Sequence, residues 1–144
     1  SGEEFARTKD GQDNTFKAPI SLNRLDWEKA WENKELVRYY QGLIALRKQL
    51  SGLCDKSKDS YKRITDMWKE KGVVGFTVLN DKKARWSQVK IIYNARKSNY
   101  KVKFLNDDWE ILSDADDSWC WEKGICADRQ IEAAPQSVLI LGRK

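Results

Sequence analysis

The 144-residue chain has no histidine, one methionine, two prolines and three cysteines, and none of its apolar runs approaches the roughly 20 residues of a membrane-spanning helix. Each shortage excludes something. Without histidine, and with five residues between Cys120 and Cys126, the common Cys/His zinc patterns cannot be assembled. Proline and glycine are too scarce for a disordered or fibrous chain. The odd cysteine count leaves Cys54 unpaired even if Cys120 and Cys126 close a small loop, and such a disulfide would require an oxidising compartment. The first residues are polar and acidic where a signal peptide would carry a basic and then an apolar stretch. If the protein is secreted, its address is expected upstream of Ser1.

What is present is a densely charged chain. Twenty-seven Lys and Arg stand against 22 Asp and Glu, so the net charge of +5 is a small excess spread along the sequence. Nucleic-acid binders concentrate their cations in a stripe or patch. A solvated surface is the better reading of this composition, and neither nucleic acid nor membrane is expected as a partner. With 40% hydrophobic residues, the length suffices for a packed core.

Residues 1 to about 26 resist regular structure, because apolar residues are sparse, Gly, Asn and Asp recur, and Pro19 interrupts. Connections this long are usually functional or disordered. Asp26 is placed to cap a short helix carrying Trp27, Ala30 and Trp31, and Asn33 is a second cap candidate. A strong helix follows from Lys34 to about Leu50, with a stripe of Leu36, Tyr40, Leu43 and Leu50 widened by Val37 and Ile44 and stopped at Ser51-Gly52. Gly42 within it points to close packing against a neighbour. Tyr61 to Lys71 reads equally as a helical turn or an edge strand.

From Gly72 the period becomes two. Val74, Phe76 and Val78 share one strand face, as do Val89, Ile91 and Tyr93, and Tyr100, Val102 and Phe104 alternate with lysines. Asn106-Asp107-Asp108 reads as a hairpin turn into Trp109 to Leu112, and Val138 to Leu141 as a last strand. Short strands at this spacing predict an antiparallel β-sandwich, so the fold class is mainly β with an α-helical N-terminal segment.

Six stretches carry more specific information. Gly2-Glu3-Glu4-Phe5-Ala6-Arg7-Thr8-Lys9 is followed by Asp13-Asn14-Thr15-Phe16 and by Asn23-Arg24-Leu25-Asp26-Trp27. The helix reads Tyr39-Tyr40-Gln41-Gly42-Leu43-Ile44-Ala45-Leu46-Arg47-Lys48, and later strands read Ile91-Ile92-Tyr93-Asn94-Ala95 and Trp109-Glu110-Ile111-Leu112. In this order they resemble the C-terminal portion of pullulanase-type starch-debranching enzymes of the α-amylase clan. The resemblance implies a division into residues 1–53, the loop after the eighth strand and the last helix of a (β/α)8 barrel, and residues 54–144, a C-terminal β-sandwich domain.

It also implies an α-1,6-glucan hydrolase as the parent, extracellular or at the cell surface of a bacterium, with no cofactor. Its partners would be the preceding part of the barrel and an α-glucan substrate. Such enzymes retain configuration with two carboxyl groups roughly 5 to 5.5 Å apart, which the family draws from earlier barrel strands. Glu3-Glu4, Asp107-Asp108 and Asp114 with Asp116 and Asp117 match none of the family's catalytic motifs, and the last group lacks the glycine and closing glutamate of an EF-hand loop. No catalytic residue and no metal ligand is therefore expected, and the chain alone should be inactive. Arg7, Asn14 and Asn23 become candidates for substrate binding on a loop beside the cleft. Trp119 and Trp121, two of seven tryptophans, are candidates for a glucan platform, sharing one side if they lie in a strand. The competing functions are a stand-alone glucan-binding module and, last, a basic nucleic-acid-binding domain.

Overall fold

The computed structural model describes residues 2–103 and 108–144. They fall into two compact units, Ser1–Gln41 and Gly42–Lys144.

The first unit is mostly loop. A 3-10 turn at Glu3–Phe5 lies between residues in left-handed backbone, Gly2 at φ 97° and Ala6 at φ 57°. Gly2 is required there twice over, because a Cβ would also stand 2.7 Å from Arg7 Cδ. Short helices α1 (Ile20–Asn23) and α2 (Trp27–Glu32) follow. Asp26 caps α2 as its sequence predicts, accepting from the amides of Glu28 and Lys29 at 3.1 and 3.2 Å. Asn33 acts differently from the expected cap of the next helix: its side-chain amide donates back to Lys29 O at 2.9 Å and closes α2. Phe5 is buried, its ring 6.2 Å from that of Trp27.

The long helix α3 runs Lys34–Gln49. Its buried residues are Gly42 and Leu46, and Leu50 just beyond it is also shielded. Leu36, Tyr40 and Ile44, assigned to the core stripe by periodicity, are exposed. The stripe is right in period, but the core takes in only the residues from Gly42 onward. Gly42 explains itself: a Cβ would stand 2.0 Å from Ser118 Oγ and 2.8 Å from Trp119 Nε1. After Leu50 a further turn, α4 (Ser51–Cys54), continues where a stop was expected. Gly52 there meets the end of the sheet, its amide donating to Asn80 Oδ1 at 2.8 Å.

Among the described residues seven strands make two antiparallel sheets. The ambiguous stretch is both things predicted for it: a 3-10 turn at Ser60–Arg63, then the edge strand β1 (Ile64–Glu70). With β2 (Val73–Leu79), β3 (Gln88–Asn94), β5 (Trp109–Ser113) and β7 (Ser137–Arg143) it forms a sheet of order β1-β2-β3-β7-β5. The second sheet pairs β4 (Tyr100–Lys103) with β6 (Gln130–Ala133). The expected hairpin from β4 into β5 is corrected: the two strands belong to different sheets, and Phe104 and the turn at Asn106-Asp107 lie outside the described residues. A short helix, α5 (Cys120–Lys123), and β6 went unpredicted.

Alternation in the large sheet sends side chains to two cores. Val73, Ile92, Trp109, Leu139 and Leu141 pack with Val102 and Ala133 of the small sheet. On the opposite face Val78, Val89, Ile91 and Leu112 pack with Trp86, Leu46 and Leu50. Asn94 locks the end of β3. Its buried amide donates to Ser98 O, Ala133 O and Ala134 O at 3.0, 3.0 and 2.8 Å, and its carbonyl accepts from Arg96 N at 3.0 Å. The Asn94-Ala95 motif thus has a structural duty. All three cysteines are free, so Cys120 and Cys126 do not close a loop; burial, then Asp114 and Asp117, pushes the Cys120 thiol up to about 11.

Candidate functional site

Of the residues predicted for a substrate-side loop, Arg7 and Asn23 are brought together. Arg7 Nη2 donates to Asn23 O and, at 3.4 Å, to Leu22 O. The Asn23 amide donates to Thr15 O at 2.8 Å and Ala18 O at 3.3 Å, and Lys9 Nζ donates to Thr15 Oγ1 at 2.5 Å. A loop of this length has few backbone partners of its own, and these side chains supply them. Asn14 is exposed beside the buried Thr15, and its side-chain carbonyl accepts from Phe16 N at 3.3 Å in a local turn. The loop is thus held from within by Arg7, Lys9 and Asn23.

Apolar side chains in the same unit are placed quite differently. Phe16, Ile20, Trp27 and Trp31 are 83%, 84%, 70% and 77% exposed. On a helix of six residues, Trp31 has Lys34 Nζ 5.8 Å from its ring centre and Trp27 has the Phe5 ring 6.2 Å away.

Trp119 and Trp121 are not strand residues but flank the start of α5. Their rings stack at 5.8 Å and 25°, Trp119 lies against Gly42 of α3, and Trp121 packs on the core beneath that helix. Both are half-buried, and much of each indole is engaged by protein.

A third place was missed by sequence reasoning. A groove of about 570 Å3 on the second unit is lined by Trp68, Glu70, Lys90, Tyr100, Lys101 and neighbours. Trp68 is seated over Gly75, where a Cβ would lie 2.5 Å from the indole, and its ring centre is 5.7 Å from that of Tyr100 at 30°. The Tyr100 hydroxyl donates to Glu70 Oε1 at 3.0 Å, and Arg96 Nη2 stands 3.3 Å from Glu70 Oε2. Arg96 also lies 5.1 Å from the Tyr100 ring centre and donates through Nε to Lys71 O at 2.7 Å. Burial first, and then the bond to Glu70, pushes the Tyr100 phenol up. No sequence signal links Trp68 to Tyr100, which stand on strands of different sheets.

Among the described residues no group of three His, Cys, Asp or Glu is placed to hold a metal ion, and no helix is long and apolar enough to cross a membrane. The carboxylates of Asp114 and Asp117 are spent locally: Asp114 Oδ1 accepts from the amides of Asp116 and Asp117, and Lys123 Nζ is 2.6 Å from Asp117 Oδ2.

No family model matches the chain. It is 28% identical over 109 residues to the pullulanase of Bacillus subtilis, a stretch covering 74% of this chain and 15% of that protein. Among solved structures, a pullulanase from an Anoxybacillus species in complex with maltotetraose matches the whole chain with a TM-score of 0.81 at 21% identity, over 20% of its own length. The pullulanase of Bacillus acidopullulyticus matches 99% of the chain with a TM-score of 0.82 at 24% identity, over 18% of its length. The chain spans about a fifth of these relatives. In sequence and in fold it resembles a portion of a pullulanase, consistent with the C-terminal end of such an enzyme.

Proposed function

We propose that this chain is the C-terminal portion of an α-1,6-glucan debranching hydrolase of pullulanase type, in which residues 1–53 end the catalytic barrel and residues 54–144 form a sandwich that stabilises it. The observation that carries this reading is the exposure of Phe16, Ile20, Trp27 and Trp31 around a loop stitched by its own hydrogen bonds. Leaving a large apolar side chain in water forgoes roughly 1.5 to 3 kcal/mol. Four in so short a unit fit a surface shaped to lie against more protein, here the rest of the barrel.

In that setting the loop is one of those at the C-terminal ends of barrel strands, where such folds build their sites. Arg7 and Asn23 set its shape, and the Asn14 amide is the group that turns outward to a sugar hydroxyl. The nucleophile and acid come from the preceding part of the enzyme, and no carboxylate of this chain is assigned to either role. The alternative, a stand-alone module binding glucan on Trp119 and Trp121, has less behind it, because the two residues stand at the start of α5 and not on a strand that would set both on one outer side, and Trp119 lies against α3. Incubated with pullulan, the purified chain is expected to release no reducing sugar; mixed or co-expressed with the preceding portion of a related pullulanase, it is expected to restore hydrolysis. Turnover by the chain alone would refute the proposal.

A further inference from the structure

We infer that the groove between β1 and β4 is a binding site for a neutral α-glucan chain, separate from the loop that faces the catalytic cleft. The inference rests on the pullulanase reading for the class of sugar, and on the groove's own chemistry for the site.

A pyranose ring offers an apolar face of C–H groups and a rim of hydroxyls that both donate and accept. The groove provides a partner for each. Trp68 and Tyr100 give two neighbouring aromatic rings, half-buried and stacked on each other, whose remaining surface lines the groove, and Trp68 is held flat by the bare backbone of Gly75. Beside them Glu70 offers carboxylate acceptors. Its side chain is 53% exposed yet fixed from behind by the Tyr100 hydroxyl and Arg96, so little rotamer freedom remains to be lost when it binds. Each of its oxygens has lone-pair capacity beyond the one contact it makes. Lys90 and Lys101 also line the walls, the first with its ammonium 5.0 Å from the Trp109 ring centre, and the volume lies within the roughly 300 to 1,000 Å3 of small-molecule sites.

The same aromatic and basic groups would suit a polyanion, and Glu70 decides against one. A phosphate or sulfate stacked along Trp68 would meet that carboxylate, whose charge is already balanced by Arg96. Lys101, in turn, faces Glu132 at 3.9 Å. Lys69 and Lys90 also line the groove, so its choice rests on Glu70: an exposed carboxylate beside the aromatic rings favours a polyol that donates to it.

Seven tryptophans make whole-chain fluorescence uninformative, so the test follows indole N–H signals by NMR in the full chain, with Trp68 assigned through Trp68→Phe. Titration with maltohexaose is expected to move the Trp68 indole saturably and leave those of Trp119 and Trp121 in place. Glu70→Ala, an exposed change on an edge strand, should weaken binding about tenfold, equivalent to about 1.4 kcal/mol, and Trp68→Ala should abolish it. Should Trp68→Ala fail to fold, Glu70→Ala decides. Absence of a saturable shift, unchanged affinity in Glu70→Ala, shifts confined to Trp119 and Trp121, or tighter binding of a sulfated oligosaccharide would each overturn the site. Failure of complementation with maltohexaose binding intact would instead count against the parent enzyme reading and leave the groove standing.

Discussion

Residues 42–144 enclose most of the buried apolar side chains, with Trp86, Val89, Ile92, Leu112 and Leu141 fully shielded even though Ile44, Tyr61 and Met67 stay exposed, whereas residues 1–41 shield Phe5 and leave Phe16, Ile20, Trp27 and Trp31 on the surface. The polar side chains show the reverse economy. In the first unit they are turned onto the loop's own backbone, and in the second Asn94 is the main buried amide doing so. One region has a core that answers to its own chain, and the other is shaped by polar contacts while its apolar surface faces outward. Stability and assembly should therefore respond to mutations in different places.

The largest effect is expected at Leu46, on the part of α3 that belongs to the second unit. Leu46→Ala leaves a cavity among Val78, Val89 and Leu112 and should cost about 3 kcal/mol in a urea titration. Two residues earlier on the same helix, the exposed Ile44→Ala should change stability by less than about 0.5 kcal/mol. Equal losses at both positions would mean that the helix is anchored along its length, and the contrast between units would fail.

Asn94→Ala comes next. It removes the amide shared by Ser98 O, Ala133 O and Ala134 O and leaves buried carbonyls without that donor, which should cost about 2 kcal/mol. Asn94→Asp is not a rescue, since a carboxylate cannot donate to three carbonyl oxygens. A calorimetric melt in which either variant matched the parent would show that β3 needs no such lock.

A smaller effect, and one dependent on pH, is expected at Asp55. The Ser57 amide, then Arg63 at 2.6 Å, hold its carboxyl down to about 2 from an ordinary value of 3.8. Because the folded value is the lower one, the contribution is complete above pH 3.8 and is lost as pH falls toward 2. Asp55→Asn should flatten the fall in melting temperature across that window. An unchanged acid limb would assign it to other carboxylates, such as Glu110, whose value is lowered chiefly by Lys144 and then, against the opposing effect of burial, by Trp86.

How far these features were legible in the sequence depends on whether their partners are local. Asp26 could be read as a cap because the amides that donate to it are two and three residues away. The β2 and β3 faces followed from alternation alone, and the Gly42 contact was signalled by a glycine where a helix disfavours one. Which turns of α3 would be covered was not legible, because periodicity gives a face but not the length of the surface that meets it. The hairpin from β4 failed for a related reason: adjacency in sequence suggested β5, while pairing with β6 spans some thirty residues. At the site level, Arg7 and Asn23 were found through motif resemblance, yet the backbone carbonyls they hold carry no sequence signature. The groove was invisible, since Trp68 reaches Tyr100 only after two sheets have formed.

The smallest effect on the chain itself should be the most informative for its role. Trp27→Ser and Trp31→Ser alter side chains that are mostly in water, so the isolated chain should melt within about 0.5 kcal/mol of the parent. If these faces lie against the rest of a barrel, the same substitutions remove buried apolar area only in the assembled enzyme, and the double variant should fail to restore pullulan hydrolysis in the mixing assay at concentrations where the parent succeeds. Phe5→Ala sharpens the comparison, because Phe5 is buried within its own unit and its loss should loosen the loop whether or not a partner is present. A double tryptophan variant that complements fully would leave the exposed surface without a function, and the contrast between the two units would then reflect composition alone.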